Sequence, residues 1–294
     1  MSRNDERILP NSETTSEETP QKDSFFEFLE MPVLTEVIDL PSEGKLYSTN
    51  SALYGREYIE IKYPTTKEQE ILNSRSLQKK NLNVDRMLEC LFVDKSVKPG
   101  ELLNGDKNAI LIKVRELMFG PGYDIRLICP VCANVDETFS FNLEKSTLKP
   151  VLSQEELAAF GVSEVRDAAG NLFFEFQLPK TKFYVQIRLA VGDDELQMLG
   201  LSERKKKNNI EETPIEDQLM ALIHSVAGKT SPEIKKQFLA KAPVIDTEHI
   251  MQVYKKIEPN RELKTKYSCP VCLNISEDIE VPLSVRFFRP KRRL

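Results

Sequence analysis

Tryptophan is absent from this 294-residue chain, and histidine occurs only as His224 and His249. So little imidazole leaves few side chains that exchange a proton near neutral pH. Neither histidine sits in a serine and aspartate pattern that reads as a catalytic triad. No run of 18 apolar residues occurs, so no membrane-spanning helix is expected. The phosphate-cradling patterns GxxxxGK[ST] and GxGxxG are both missing. Net charge is only −5, which argues against a general nucleic-acid coat or a membrane-surface protein. The first 30 residues carry eight acidic and three basic side chains and no apolar stretch, so no secretory signal is expected. These absences together predict a soluble, cytoplasmic, non-enzymatic chain.

Hydrophobic residues make up 40% of the chain, which is enough for a core, and charged residues 30%. Residues 1–23 are rich in Ser, Thr, Glu and Pro and bury too little to offset the entropy of ordering, so they are expected to be disordered. In "SFFEFLEMP" (24–32), Phe25, Phe26, Phe28 and Leu29 form an aromatic segment. It reads either as a docking peptide for a partner or as a segment that packs on its own domain.

Four of the five cysteines lie in two identical "CPVC" pairs, Cys129 with Cys132 and Cys269 with Cys272. In a reducing compartment, paired cysteines are more often metal ligands or redox groups than structural disulfides. A two-residue gap aims both thiolates of a hairpin tip at one ion, which supplies half of a tetrahedral zinc site. Structural zinc takes four protein ligands, so the two pairs are expected to meet in one four-cysteine zinc ribbon. The proline of each pair suits a tight loop, and a small residue after the second cysteine is expected to let backbone N–H groups approach sulfur. Two other readings stay open. One is a redox dithiol, which needs a pair at a helix N-terminus after a strand. The other is two half-sites, each completed by a second molecule. Cys90 falls on the apolar face of a helix and is expected to be buried.

The rest of the pattern repeats as the cysteines do. "REYIEIKYPTTKEQEILN" is echoed by "KFYVQIRLAVGDDELQMLG", "VDRMLECLFVD" by "EDQLMALIHSVAG", and "DKNAILIKVREL" by "DTEHIMQVYKKI". Each copy reads as strand, helices, strand, knuckle, strand. The expected fold class is α+β, with two similar lobes formed by internal duplication and joined by the zinc ribbon. The expected domains are a tail at 1–32, a first lobe at 33–150, a connector at 151–171 and a second lobe at 172–294. Thr65 with Glu68, and Ser153 with Glu156, are spaced as capping boxes. Asn104 or Asp106 is expected to start a helix that Gly120 ends. His224 reads as a core histidine in an apolar helix, His249 as a helix-surface residue, "GDDE" (192–195) as a helix start, and "ERKKKNN" (203–209) as a loop.

The chain ends in "RFFRPKRRL", with Arg286, Arg289, Lys291, Arg292 and Arg293 around two aromatics. Zinc ribbons often touch nucleic acid, so a nucleic-acid-binding regulator is the rival reading, although few basic groups are available for it. An acidic protein surface suits such a tail as well.

The order "LPSEGKLY", "IEIKYPTTKEQEIL", "VDRMLECLFVD" and "GDKNAILIKVRELMFGPGYDIRLICPVC" resembles the T4-type phage baseplate protein family over residues 35–150, and the second copy resembles it more loosely. There the glycine-containing turn has become "LPKTKFY". The resemblance implies a non-enzymatic tail protein, either an assembly factor or chaperone for the baseplate hub or a minor hub component. Its partners would be other baseplate or hub proteins, and a homo-oligomer is compatible with it. Its locations would be the host cytoplasm and the virion tail.

Overall fold

The computed structural model describes residues 33–136, 139–281 and 287–288. Phe25, Phe26, Phe28, Leu29, Arg286, Arg289, Lys291, Arg292 and Arg293 lie outside them. The described residues from Thr35 onward form one compact α+β unit.

Strand β1 (Thr35–Asp39) pairs antiparallel with β2 (Tyr58–Lys62), with Ile38 opposite Ile59. Alternation along both strands turns Ile38, Ile59 and Ile61 into the core. The turn after β1 holds Glu43 and Gly44 at φ of 51° and 69°. A Cβ on Gly44 would lie 2.2 Å from the Arg56 amide nitrogen, so only glycine fits there. Helix α1 (Thr66–Asn73) opens on the expected capping box of Thr65 and Glu68. A short α2 (Arg75–Gln78) leads into α3 (Asn83–Leu91). Burial of Met87, Leu88 and Leu91 on one face holds α3 in place, each worth about 1.5–3 kcal/mol. Phe92 leaves the helix to bridge Ile61. Cys90 is half-buried at the end of α3 and not enclosed, because it opens on a surface groove that it lines with Ile71 and Leu77.

Helix α4 (Asn104–Phe119) ends at Gly120, whose φ is 79°. Neither Asn104 nor Asp106 caps it by side chain. Asp106 instead reaches back to the first turn, accepting from the Ser42 amide at 2.9 Å and the Tyr47 hydroxyl at 2.7 Å. Strands β3 (Gly122–Asp124) and β4 (Leu127–Ile128) then pair with β6 (Ser140–Asn142) and β5 (Val135–Asp136). β7 (Thr147–Lys149) follows.

The connecting helix α5 is shorter than the sequence pattern suggests, covering only Gln154–Ala159 behind the Ser153 and Glu156 capping box. The chain then becomes β8 (Val162–Arg166), the edge of a four-stranded antiparallel sheet with β9 (Leu172–Gln177), β10 (Tyr184–Ile187) and β11 (Ile223–Val226), in order β11-β10-β9-β8. The β8–β9 hairpin grips the first turn: Arg166 donates to the carbonyls of Tyr47 and Lys45, and the Thr49 amide donates to Gly170.

Helices α6 (Gly192–Lys207), α7 (Pro214–Leu222), α8 (Pro232–Leu239) and α9 (Val244–Ile257) complete the packing. "ERKKK" is thus the last turn of α6 and not a loop. Four cations there complement the negative end of the helix dipole. Helix α7 stops at Leu222, and His224 lies in β11, because pairing with β10 outweighs the helical pattern. β12 (Asn260–Glu262) pairs with β7, and β13 (Lys264–Ser268) with β14 (Ile275–Glu280).

Two cores result. The larger runs from Ile38 to Ile257 and draws on both halves of the chain. The smaller gathers Ile112, Tyr123, Phe141, Leu263, Tyr267 and Phe287 around Cys129 and Cys269. Gly105 lets the Pro259 carbonyl approach where a Cβ would lie 1.8 Å from it, so the start of α4 touches the segment after α9.

Candidate metal centre

Each CPVC pair forms the tip of a two-stranded hairpin. In the first, the Cys129 amide donates to the Asn134 carbonyl at 2.8 Å, and the Ala133 amide donates to Cys129 at 3.0 Å. In the second, Cys269 donates to Asn274 at 2.9 Å, and Leu273 donates to Cys269 at 3.1 Å. Ala133 and Leu273 both turn left-handed, with φ of 55° and 57°. The expectation of a small residue there is corrected: backbone conformation opens the loop, since leucine serves as well as alanine.

The hairpins come from chain segments about 140 positions apart, yet their sulfurs interleave. Cys129 Sγ lies 3.6 Å from Cys272 Sγ, and Cys132 Sγ lies 3.6 Å from Cys269 Sγ. All four lie within 4.8 Å of one another. A disulfide would need about 2.05 Å. Four sulfurs each about 2.3 Å from a shared ion stand about 3.8 Å apart at the corners of a tetrahedron. The observed spacing thus fits one ion held by Cys129, Cys132, Cys269 and Cys272. The first cysteine of each pair is buried and the second is exposed.

Electrostatics favour the same arrangement. The amides of Cys132 and Val131 point at the Cys129 sulfur and lower its pKa. The Cys272 amide does the same for Cys269, bringing it down to about 6. For Cys272 the Asn274 amide favours the thiolate, but partial desolvation and the neighbouring sulfurs push it up to about 12. Like charges this close cannot all ionise without a cation among them. A bound divalent ion removes that conflict.

Tyr267 was not legible as part of the site. It lies buried in the smaller core, with Phe139 edge-on at 5.8 Å. Burial, then the Cys269 charge, pushes its hydroxyl to about 12, so it stays protonated beside the sulfur. Its only signal in sequence is its place two residues before Cys269, where the first hairpin has Leu127.

The remaining candidates serve the fold. His224 stacks on Phe173 at 3.8 Å, and His249 is half-buried edge-on to Phe176, not on an open helix surface. In "GDDE", Asp194 accepts from the Val191 amide and from both terminal nitrogens of Arg188, as a helix start does. Lys205 is paired with Asp217 at 2.6 Å. Phe287 of the terminal "RFFR" is buried against Tyr123, so that aromatic is core and not a base-stacking platform.

The family model of the T4 bacteriophage base plate protein matches residues 31–289, a span that includes both hairpins and both cores. The chain belongs to that family. No curated protein and no solved structure matches it. In this base plate protein the four-cysteine cluster is therefore part of the family region and not an appendage to it. No helix among its described residues is long and apolar enough to cross a membrane.

Proposed function

We propose that this base plate protein acts without catalysis, through contacts with other base plate or hub proteins, as an assembly factor or minor hub component whose two CPVC hairpins are pinned together by one structural zinc ion. The observation that carries the reading is the interleaved set of four sulfurs, two from each half. Zinc suits it because four thiolates at tetrahedral spacing match its preferred donors. A site closed by four protein ligands has no open position for water, so it stabilises structure and does not activate a nucleophile.

Internal duplication is part of the reading, and paired geometries support it. The β1–β2 and β9–β10 pairs both precede a helix whose third residue is an acid bonded back to the cap, Glu68 to Thr65 and Asp194 to Val191. Each long helix then sends an aspartate to the turn between those strands: Asp106 to Ser42, and Asp246 to Lys180 and Thr181. Each ends in a CPVC hairpin.

The test is elemental analysis of the purified full chain beside Cys269→Ser. One zinc per chain, lost in the variant, supports the reading. Metal-free thiols would sink the zinc pin, and half a zinc per chain would mean that a second molecule completes the site.

A further inference from the structure

Six large aliphatic side chains stand in the open around the cysteine cluster. Ile128, Val131 and Val135 on the first hairpin, and Val271, Leu273 and Ile275 on the second, are between 43% and 76% exposed. Val131 and Val271 hold the same place in the two loops, just before the second cysteine. None of the six belongs to either core. The stretches 128–135 and 268–276 contain no charged residue, in a chain that is 30% charged. Interleaving of the sulfurs brings both uncharged stretches together. Scattered exposed apolar groups are ordinary on a protein surface, but a concentrated patch marks a place that another surface covers.

We infer that this tip is a docking surface for a second protein chain that presents an uncharged, apolar cleft. The inference rests on the protein-contact reading above and names the surface that serves it. The partner's chemistry follows from the tip's own. Of the charges flanking it, Lys266 and Glu277 are paired with each other at 2.7 Å, so that pair makes no demand on a partner. No cation within either stretch meets a phosphate, which disfavours nucleic acid as the occupant. A symmetric contact between two copies would set tip against tip and cover little beyond these six side chains, whereas a standard stable interface buries ~800 Å² per partner. A cleft that closes over the tip also covers the hairpin flanks and makes up that area.

The test uses the full-length protein, with Val135→Asn and Ile275→Asn as variants. Both positions are exposed, so zinc content and melting temperature should match wild type. Each purified base plate protein of the same phage is titrated against the three chains by calorimetry. The expected result is one partner that binds wild type, binds each variant at least tenfold more weakly, and keeps its affinity in high salt. A partner that binds all three equally would overturn the tip while leaving the protein-contact reading intact. Absence of binding to any of them would overturn both. A wild-type dimer in sedimentation that either variant dissociates, or flotation of wild type but not the variants with phosphatidylcholine vesicles, would replace the proposed occupant and overturn the inference.

Discussion

Arg115 Nε donates to the carbonyl oxygen of Phe287 at 2.7 Å, across 172 positions of sequence. The same guanidinium donates to Gly120 and Gly122, and its side chain is almost fully enclosed. It satisfies three carbonyls at once and ties the last described residues to α4. Arg115→Lys keeps the charge but loses the planar fork, leaving buried acceptors unmet at about 1–3 kcal/mol each. Urea unfolding should show a loss of at least about 2 kcal/mol. An unchanged midpoint would show that the tail segment is not held this way.

Asp106 and Asp246 hold matching turns but should respond to acid in opposite ways. Burial pushes the Asp106 carboxyl above its ordinary range, and the Ser42 and Tyr47 hydroxyls pull it back only in part. Its contribution is therefore complete below about pH 4 and declines as pH rises through its folded pKa. Burial also acts on Asp246, but the Lys180 and Thr181 amides outweigh it and lower the carboxyl. Its contribution is present above about pH 4 and is lost as pH falls further. The stability gap between wild type and Asp106→Asn should narrow above about pH 4, while the gap for Asp246→Asn should shrink only below it. Denaturant midpoints across that range measure both. Parallel profiles would contradict the assignment.

Glycine substitutions separate a required backbone from a tolerant one. Gly44→Ala places a Cβ against the Arg56 backbone in a left-handed conformation and should destabilise by about 2 kcal/mol or more. Gly200 lies within α6, and beyond its own stretch of helix an added Cβ would meet nothing within 4 Å. Gly200→Ala should stabilise by about 0.5–1 kcal/mol. Thermal melts of the two variants should move in opposite directions.

Metal removal should act locally first. The cysteines belong to the smaller core, whereas the β8–β11 sheet and α3 belong to the larger. After treatment with a strong chelator, amides of the two hairpins should exchange quickly while those of β9 and β10 stay protected. Equal loss of protection everywhere would mean that the larger core depends on the ion.

Features set by neighbours in the chain were readable before folding. Thr65 and Glu68 cap α1 because both bonds close within three residues, and Gly120 ends α4 because few other residues adopt its φ. The cysteine spacing marked the four residues that meet. Features that depend on distant partners were hidden. His224 looks helical until β10 pairs with β11, and Asp106 looks like a cap until the Ser42 turn reaches it. Arg115 carries no sign in its own surroundings that it holds Phe287. Tyr267 becomes part of the site only when two hairpins about 140 positions apart meet.

That separation also sets an order of events during synthesis. The contact between Cys129 and Cys272 closes a loop of 143 positions, and none of it can form until the second hairpin has left the ribosome. The first hairpin must therefore wait for its partner pair through about half of translation. The finished cluster is a record that both hairpins have been made.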